Sequence, residues 1–243
     1  MTRAFIVSLI LASACGVDYQ DDPAPPDKAP YKLAANALLP GKILATNWGT
    51  HTLTSSVIAA TTNTQDGRDY LTYLIACSLA SGNSITATQT LFPFDTYTFY
   101  GEDGLGSAWK SRALTVSERR WTTACILSRS NYYGTIVNIS MQGSNTALAI
   151  DFDQDYHVDE GAFWGDVLSG GTAVENSCMG VDQAHDNTQS DLPYRKCAAG
   201  GAEWCNFSYH NMCNAYCTTT TFPYAGCGNF NEVISVKLYG IPD

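Results

Sequence analysis

The chain has 243 residues, 45% hydrophobic and only 15% charged, with a formal net charge of -10. That apolar content is enough to bury a core and excludes a disordered chain, while the abundant Thr, Ser, Asn and Gly suit a protein that works outside the cytoplasm. The charge is lopsided: residues 1–150 carry ten acidic and ten basic side chains, residues 151–243 thirteen and three, a surplus that repels phosphates and speaks against nucleic acid as a partner.

Arg3 is followed by a small and apolar run over residues 4–14, then by Cys15. The run is too short for a bilayer, which needs about 20 apolar residues, and reads as a signal peptide. Ala12-Ser13-Ala14-Cys15 resembles the lipobox of bacterial lipoproteins, with Ala12 in the usual leucine slot and Leu11 one place further out. The resemblance implies that residues 1–14 are removed, that Cys15 is lipidated, and that the protein is exported and anchored to the envelope through its lipid. Gly16 rather than Asp after Cys15 is, by the same resemblance, compatible with the outer membrane or the cell surface.

Residues 15–32 hold four prolines and four aspartates and predict a stiffened tether; residues 33–243 are expected to form the domain. A helix is predicted over 67–79, capped by Asp66, with Leu71, Leu74, Ile75 and Ser78 along one stripe and Gly82 as its left-handed stop. Candidate strands follow at 84–90 and 96–100. Residues 101–106 make a turn whose glycines fall in the wrong order for a dinucleotide fingerprint. The second helix, 116–129, carries a capping box at Thr115 and Glu118 and buries Trp121, Ala124, Cys125 and Ser128. Strands are then expected over 133–143, over 146–158 and over 232–239. The segment 121–127, with Tyr132-Tyr133-Gly134 and Ile139-Ser140-Met141, resembles bacterial surface lipoproteins of unknown function, a likeness that spans 68–143 and implies no mechanism.

Nine cysteines leave an odd thiol, which a lipidated Cys15 removes. The other eight, Cys77, Cys125, Cys178, Cys197, Cys205, Cys213, Cys217 and Cys227, are expected as four disulfides. Local pairing suggests Cys77–Cys125 and three bridges within 178–227, of open connectivity. Cys205, His210, Cys213 and Cys217 have the residue types of a zinc site, but without a Cys-x-x-Cys pair disulfides are preferred. No metal or cofactor is expected.

Two clusters carry chemistry. Asp151, Asp153 and Asp155 open like a calcium loop, yet Tyr156 stands where glycine is needed and Ala162 where glutamate is needed, so an acidic strand face is preferred. His157, Asp159 and Glu160 precede an aromatic turn at 161–166 and have the groups for general acid–base catalysis. His185, Asp186 and Ser190 form a triad in composition only. Aromatic side chains among 204–230 suit either stacking on sugars or a small cystine-held core.

These features predict an α+β domain, two principal helices against a mainly antiparallel sheet, with a disulfide-rich, loop-heavy section at 178–227. The expected function is a non-catalytic binding module for a glycan or another envelope component. The alternative is an exported, glycan-directed hydrolase using His157, Asp159 and Glu160.

Overall fold

The computed structural model describes residues 32–148, 155–182, 195, 197 and 205–240, with side chains from residue 37 onward. In chain order the elements are β1 (Lys32–Asn36), α1 (Ser55–Ile58), α2 (Gln65–Ser78), β2 (Ser84–Thr88), β3 (Thr96–Tyr100), α3 (Val116–Ser128), β4 (Val137–Gln142), β5 (Val158–Asp166), β6 (Val174–Met179), β7 (Ser208–Met212), α4 (Cys213–Tyr216), β8 (Cys217–Thr219), β9 (Ala225–Cys227) and β10 (Ile234–Leu238), with 3-10 turns at Pro40–Lys42, Trp48–Thr50 and Ala59–Asn63. Six strands make one sheet in the order β1-β4-β10-β5-β6-β7. Every pairing in it is antiparallel except β6 with β7. The α+β expectation holds, with α3 against β5 and β10, and α2 against α3 and β3.

Each long helix starts where a side chain replaces the missing backbone partner of its first turn. At α2 that side chain is Thr64, whose hydroxyl accepts from the Gly67 N–H at 3.0 Å. The expected cap, Asp66, instead lies in the first turn, where its charge favours the helix dipole. Gly67 is required by a close approach, since a Cβ there would stand 2.0 Å from the Thr61 carbonyl oxygen. The turn after β3 closes the other end: the N–H groups of Asp103, Leu105 and Gly106 donate to the carbonyls of Ala76, Cys77 and Ser78 at 2.8–3.1 Å. Its glycine-rich sequence therefore serves a helix C-terminus. Gly82, at φ +82°, turns the chain beyond the cap residue Leu79.

The capping box of α3 is present. The Thr115 hydroxyl accepts from the Glu118 N–H at 3.2 Å, and the Glu118 carboxylate accepts from the Thr115 N–H at 2.8 Å. Arg112 adds two bonds to the same carboxylate at 2.7 and 2.8 Å, which, ahead of the backbone bond, hold its pKa down at about 2. From Trp121 to Ser128 the helix is buried on every side, because the sheet covers one flank and α2 the other. Cys77 and Cys125 face each other across those helices and are bonded.

The sheet buries two unlike faces. Leu238, Ile139, Met141, Phe163, Ile234 and Val236 point toward the helices and join the main core. On the opposite face Ala162, Trp164 and Val233 pack under Cys178, Cys213, Cys217, Cys227 and Tyr224. The three C-terminal bridges are Cys178–Cys213, Cys197–Cys205 and Cys217–Cys227. Cys178–Cys213 and Cys217–Cys227 form a cystine layer on that face, as expected of a section with little regular structure, while Cys197 and Cys205 join the main core.

Two expectations are corrected. Residues 161–166, expected as an aromatic turn, are the core of β5, buried throughout except at Asp166. A strand at 146–158 is not found where the structure describes it: 144–148 are turns and bends, and residue 158 already belongs to β5. Asp151 and Asp153 lie outside the described residues, as do Cys15 and residues 16–31 of the expected tether, while Lys32, its last residue, already belongs to β1.

Candidate functional site

The residues expected to act together are separated by a β-bulge. Lys237 of β10 pairs with Asp159, but the next residue back, Val236, pairs with Gly161, so Glu160 is the extra residue on β5. The bulge aims consecutive carboxylates at different surroundings. Glu160 takes both oxygens to the Arg195 Nε, each at 2.6 Å. Arg195 also donates to the carbonyls of Ser128 and Ser130, placing a cation at the negative end of the α3 dipole. Both partners are fully buried. Burial pushes the Glu160 carboxyl up and the guanidinium pulls against it.

Asp159 goes to the cystine side. Its Oδ2 accepts from the Tyr224 hydroxyl at 2.5 Å and from the Val181 N–H at 3.4 Å. Its own N–H donates to Asp182 at 2.7 Å, and its Oδ1 has no hydrogen-bond partner among the described residues. Burial, aided by the nearby charge of Asp182, raises its pKa to about 6, against the hydrogen bonds from Tyr224 and Val181 and the charge of Lys237. His157 is half-buried just before β5, beside Gly240. The three groups therefore do not converge in a cleft. A cleft of about 230 Å³ lies elsewhere, lined by Lys42, Asp69 and Tyr73 among others, and there Lys42 is already bound to Asp69 at 2.6 Å.

The aromatic side chains of the C-terminal part range from core to surface, with Phe222 and Phe230 partly buried and Tyr216 39% exposed. Phe207 and Tyr224 are buried, and His210 stacks on Tyr216 with ring centres 4.2 Å apart. Tyr216 in turn lies 5.7 Å from Trp164. The His210 Nε2 sits 2.9 Å from the Asn176 side-chain oxygen, and burial lowers its pKa. As preferred over a zinc site, these cysteines are spread among three bridges: Cys205 bonds to Cys197, Cys213 to Cys178 and Cys217 to Cys227. His185, Asp186, Ser190 and Trp204 lie outside the described residues.

Among the described residues, the four most exposed large hydrophobic side chains are on the β2–β3 hairpin. Leu91, Phe92 and Phe94 at its tip are 63%, 86% and 57% exposed, and the two phenyl rings meet edge to face at 6.2 Å. This display is braced. The Asn63 side chain accepts from the N–H groups of Thr90 and Leu91 at 2.9 and 3.2 Å and donates to the Thr90 hydroxyl at 2.7 Å. Gln89 accepts from the Asp95 N–H at 3.2 Å and donates to the Thr62 carbonyl at 3.1 Å. Below the tip, the inner face of the hairpin buries Ile85, Ala87 and Phe99. The outer face carries two hydroxyl rungs, Thr86 with Thr98 and Thr88 with Thr96, each at 2.9 Å. Tyr100, 69% exposed, closes that face. No protein family, curated protein or solved structure matches the chain.

Sequence reasoning read both strands of this hairpin and missed its tip. Leu91-Phe92-Pro93-Phe94 between two threonine-alternating strands was the available signal: four such side chains in a seven-residue loop have no core to enter. Four disulfides fit an oxidising compartment outside the cytoplasm. Among the described residues no helix is long and apolar enough to cross a membrane.

Proposed function

We propose that the protein is a non-catalytic binding module of the cell envelope, tethered by a lipid on Cys15, and that the outer face of the β2–β3 hairpin receives a glycan chain. The observation that carries this reading is the braced exposure of Phe92, 86% open to solvent at the end of a hydroxyl ladder. Aromatic faces stack on the C–H face of a sugar, and threonine hydroxyls both donate and accept toward its ring substituents. Each Thr–Thr rung uses one hydroxyl hydrogen, so a second remains for a ligand, and rungs recur about every 7 Å along a strand. Asn63 and Gln89 fix the loop before any ligand arrives, which lowers the ordering cost of binding. Phe94 sits at φ +62°, an uncommon conformation for an aromatic residue that fits a tip shaped for contact.

The test is co-sedimentation of the exported protein with purified envelope polysaccharide, compared with Phe92→Ser and Tyr100→Ala. Retention lost in both variants supports the reading. Equal retention by all three proteins would sink it. Binding to protein-free lipid vesicles that Phe92→Ser abolishes, with no polysaccharide retention, would reassign the tip to the membrane.

The hydrolase reading retains one supporting observation, a carboxyl at Asp159 whose pKa is raised to about 6. Glycan hydrolysis by the wild type that Asp159→Asn abolishes would favour it. The engagement of Glu160 by Arg195 argues for the binding module.

A further inference from the structure

We propose that the two neighbouring cystines, Cys178–Cys213 and Cys217–Cys227, form a tetrathiolate site for Zn2+ when a dithiol reduces them. The sulfurs of Cys178 and Cys217, which belong to different bridges, are 4.0 Å apart. Those of Cys178, Cys217 and Cys227 all lie within 4.8 Å of one another. Four thiolates about a zinc ion at about 2.3 Å stand about 3.8 Å from each other by tetrahedral geometry. Cys178 and Cys217 hold nearly that spacing already. Once the two bonds open, Cys213 and Cys227 must rotate their sulfurs away from their former partners, Cys178 and Cys217, to reach the same spacing.

The scaffold supports convergence. Cys178 is on β6, Cys213 opens α4, Cys217 opens β8 and Cys227 ends β9, and Cys217 is the register partner of Cys227 across the β8–β9 pair. Cys178, Cys213 and Cys227 are fully buried and Cys217 is 6% exposed. Buried free thiolates are costly, and a divalent cation removes that cost. The Cys77–Cys125 bridge is equally buried but stands beside a carboxylate instead of a second bridge. Its neighbouring donor is the Asp103 carboxylate, which the Arg129 guanidinium engages at 2.9 Å.

The chemistry balances with a dithiol as reductant. Each dithiol gives two electrons and two protons to one disulfide and becomes a cyclic disulfide, so two dithiols yield four thiols. Binding of Zn2+ then releases four protons and leaves the metal with four sulfur ligands. In the oxidised chain the same sulfurs are covalently capped.

The full chain, reduced and held under argon, is titrated with Co2+ as a spectroscopic stand-in and then with Zn2+. The expected result is one Co2+ per chain with the intense visible bands of tetrahedral cobalt thiolate, bleached by Zn2+. These bands are lost in Cys178→Ser/Cys217→Ser and retained in Cys77→Ser/Cys125→Ser. Zn2+ should also protect the four cysteines from alkylation, read by mass spectrometry. Absent bands, bands insensitive to the first pair of substitutions or removed by the second, or equal alkylation with and without Zn2+, each overturn the proposal. If the reduced chain loses its near-ultraviolet dichroism, Zn2+ must restore it in the wild type and not in Cys178→Ser/Cys217→Ser. Failure to do so also overturns the proposal.

Discussion

Arg195 and Glu160 are both fully buried, and the Arg195 Nε lies 2.6 Å from each oxygen of the Glu160 carboxylate. The pair ties a residue outside the regular elements to β5 and to the end of α3. Removing one member strands the other charge in the interior. Glu160→Gln should therefore destabilise the protein by about 3–5 kcal/mol, whereas Glu160→Leu with Arg195→Met should cost far less. Urea unfolding of the three proteins measures both. A Glu160→Gln variant as stable as the wild type would show that the pair contributes nothing.

Asp159 gives the fold a pH dependence with a defined sign. Its folded pKa, about 6, is above the ordinary 3.8, so the folded state keeps the proton longer than the unfolded chain. Stability on this account is greatest below pH 4 and falls as pH rises from about 4 to about 6. The full drop is about 3 kcal/mol at 1.36 kcal/mol per unit of pKa. Asp159→Asn should abolish the fall while keeping an acceptor for the Tyr224 hydroxyl. Parallel pH profiles for both proteins between pH 4 and pH 6.5 would contradict this.

Glu118 acts in the opposite direction. Its carboxyl titrates at about 2, mainly through Arg112, so its contribution is present above pH 4.5 and is lost as pH falls toward 2. Thr115→Ala, which removes the hydroxyl half of the box, should cost about 1 kcal/mol. Thermal melts from pH 7 down to pH 2 separate the two parts, because the Thr115→Ala loss persists as Glu118 takes up its proton.

The bridges differ in the loops they close: 48 residues for Cys77–Cys125, 35 for Cys178–Cys213, 10 for Cys217–Cys227 and 8 for Cys197–Cys205. Chain-entropy reasoning assigns the first about 4 kcal/mol and the last about 2.5. Replacing each pair with alanines should rank in that order by denaturant midpoint. A Cys197–Cys205 replacement more damaging than the Cys77–Cys125 one would point to packing instead of loop closure.

Phe92 supplies a separation of stability from binding. With 86% of its surface already in solvent, Phe92→Ser should change unfolding free energy by less than about 0.5 kcal/mol. The same variant should lose retention on polysaccharide. A large destabilisation would mean that the ring is packed in the native state.

What the sequence conveyed well was local or binary. The capping box at Thr115 and Glu118 needs four consecutive residues, and the Cys77–Cys125 bridge follows from two cysteines on two readable helices. The 96–100 strand was legible because one face of its hairpin is wet, so Tyr97 and Phe99 alternate with threonines. β5 was illegible for the opposite reason. It is covered on both faces, so its apolar pattern does not alternate, and its Gly161 and Gly165 imitate a turn. Nothing near Glu160 announces Arg195, which stands 35 positions away and meets it only through the fold. The carboxylates at 159 and 160 look like a catalytic pair in one dimension, and a single bulge residue makes them strangers.

The strand order has a consequence for how the molecule comes into being. β10, which follows every other strand in the sequence, lies between β4 and β5, so the sheet has no middle until β10 arrives. A chain synthesised N-terminus first must hold β4 and β5 with open edges, each a template for pairing with another chain. Completion of the core is thus postponed until β10 slides into the gap like a key bar. A chain cut before residue 232 should aggregate instead of surviving as a smaller domain.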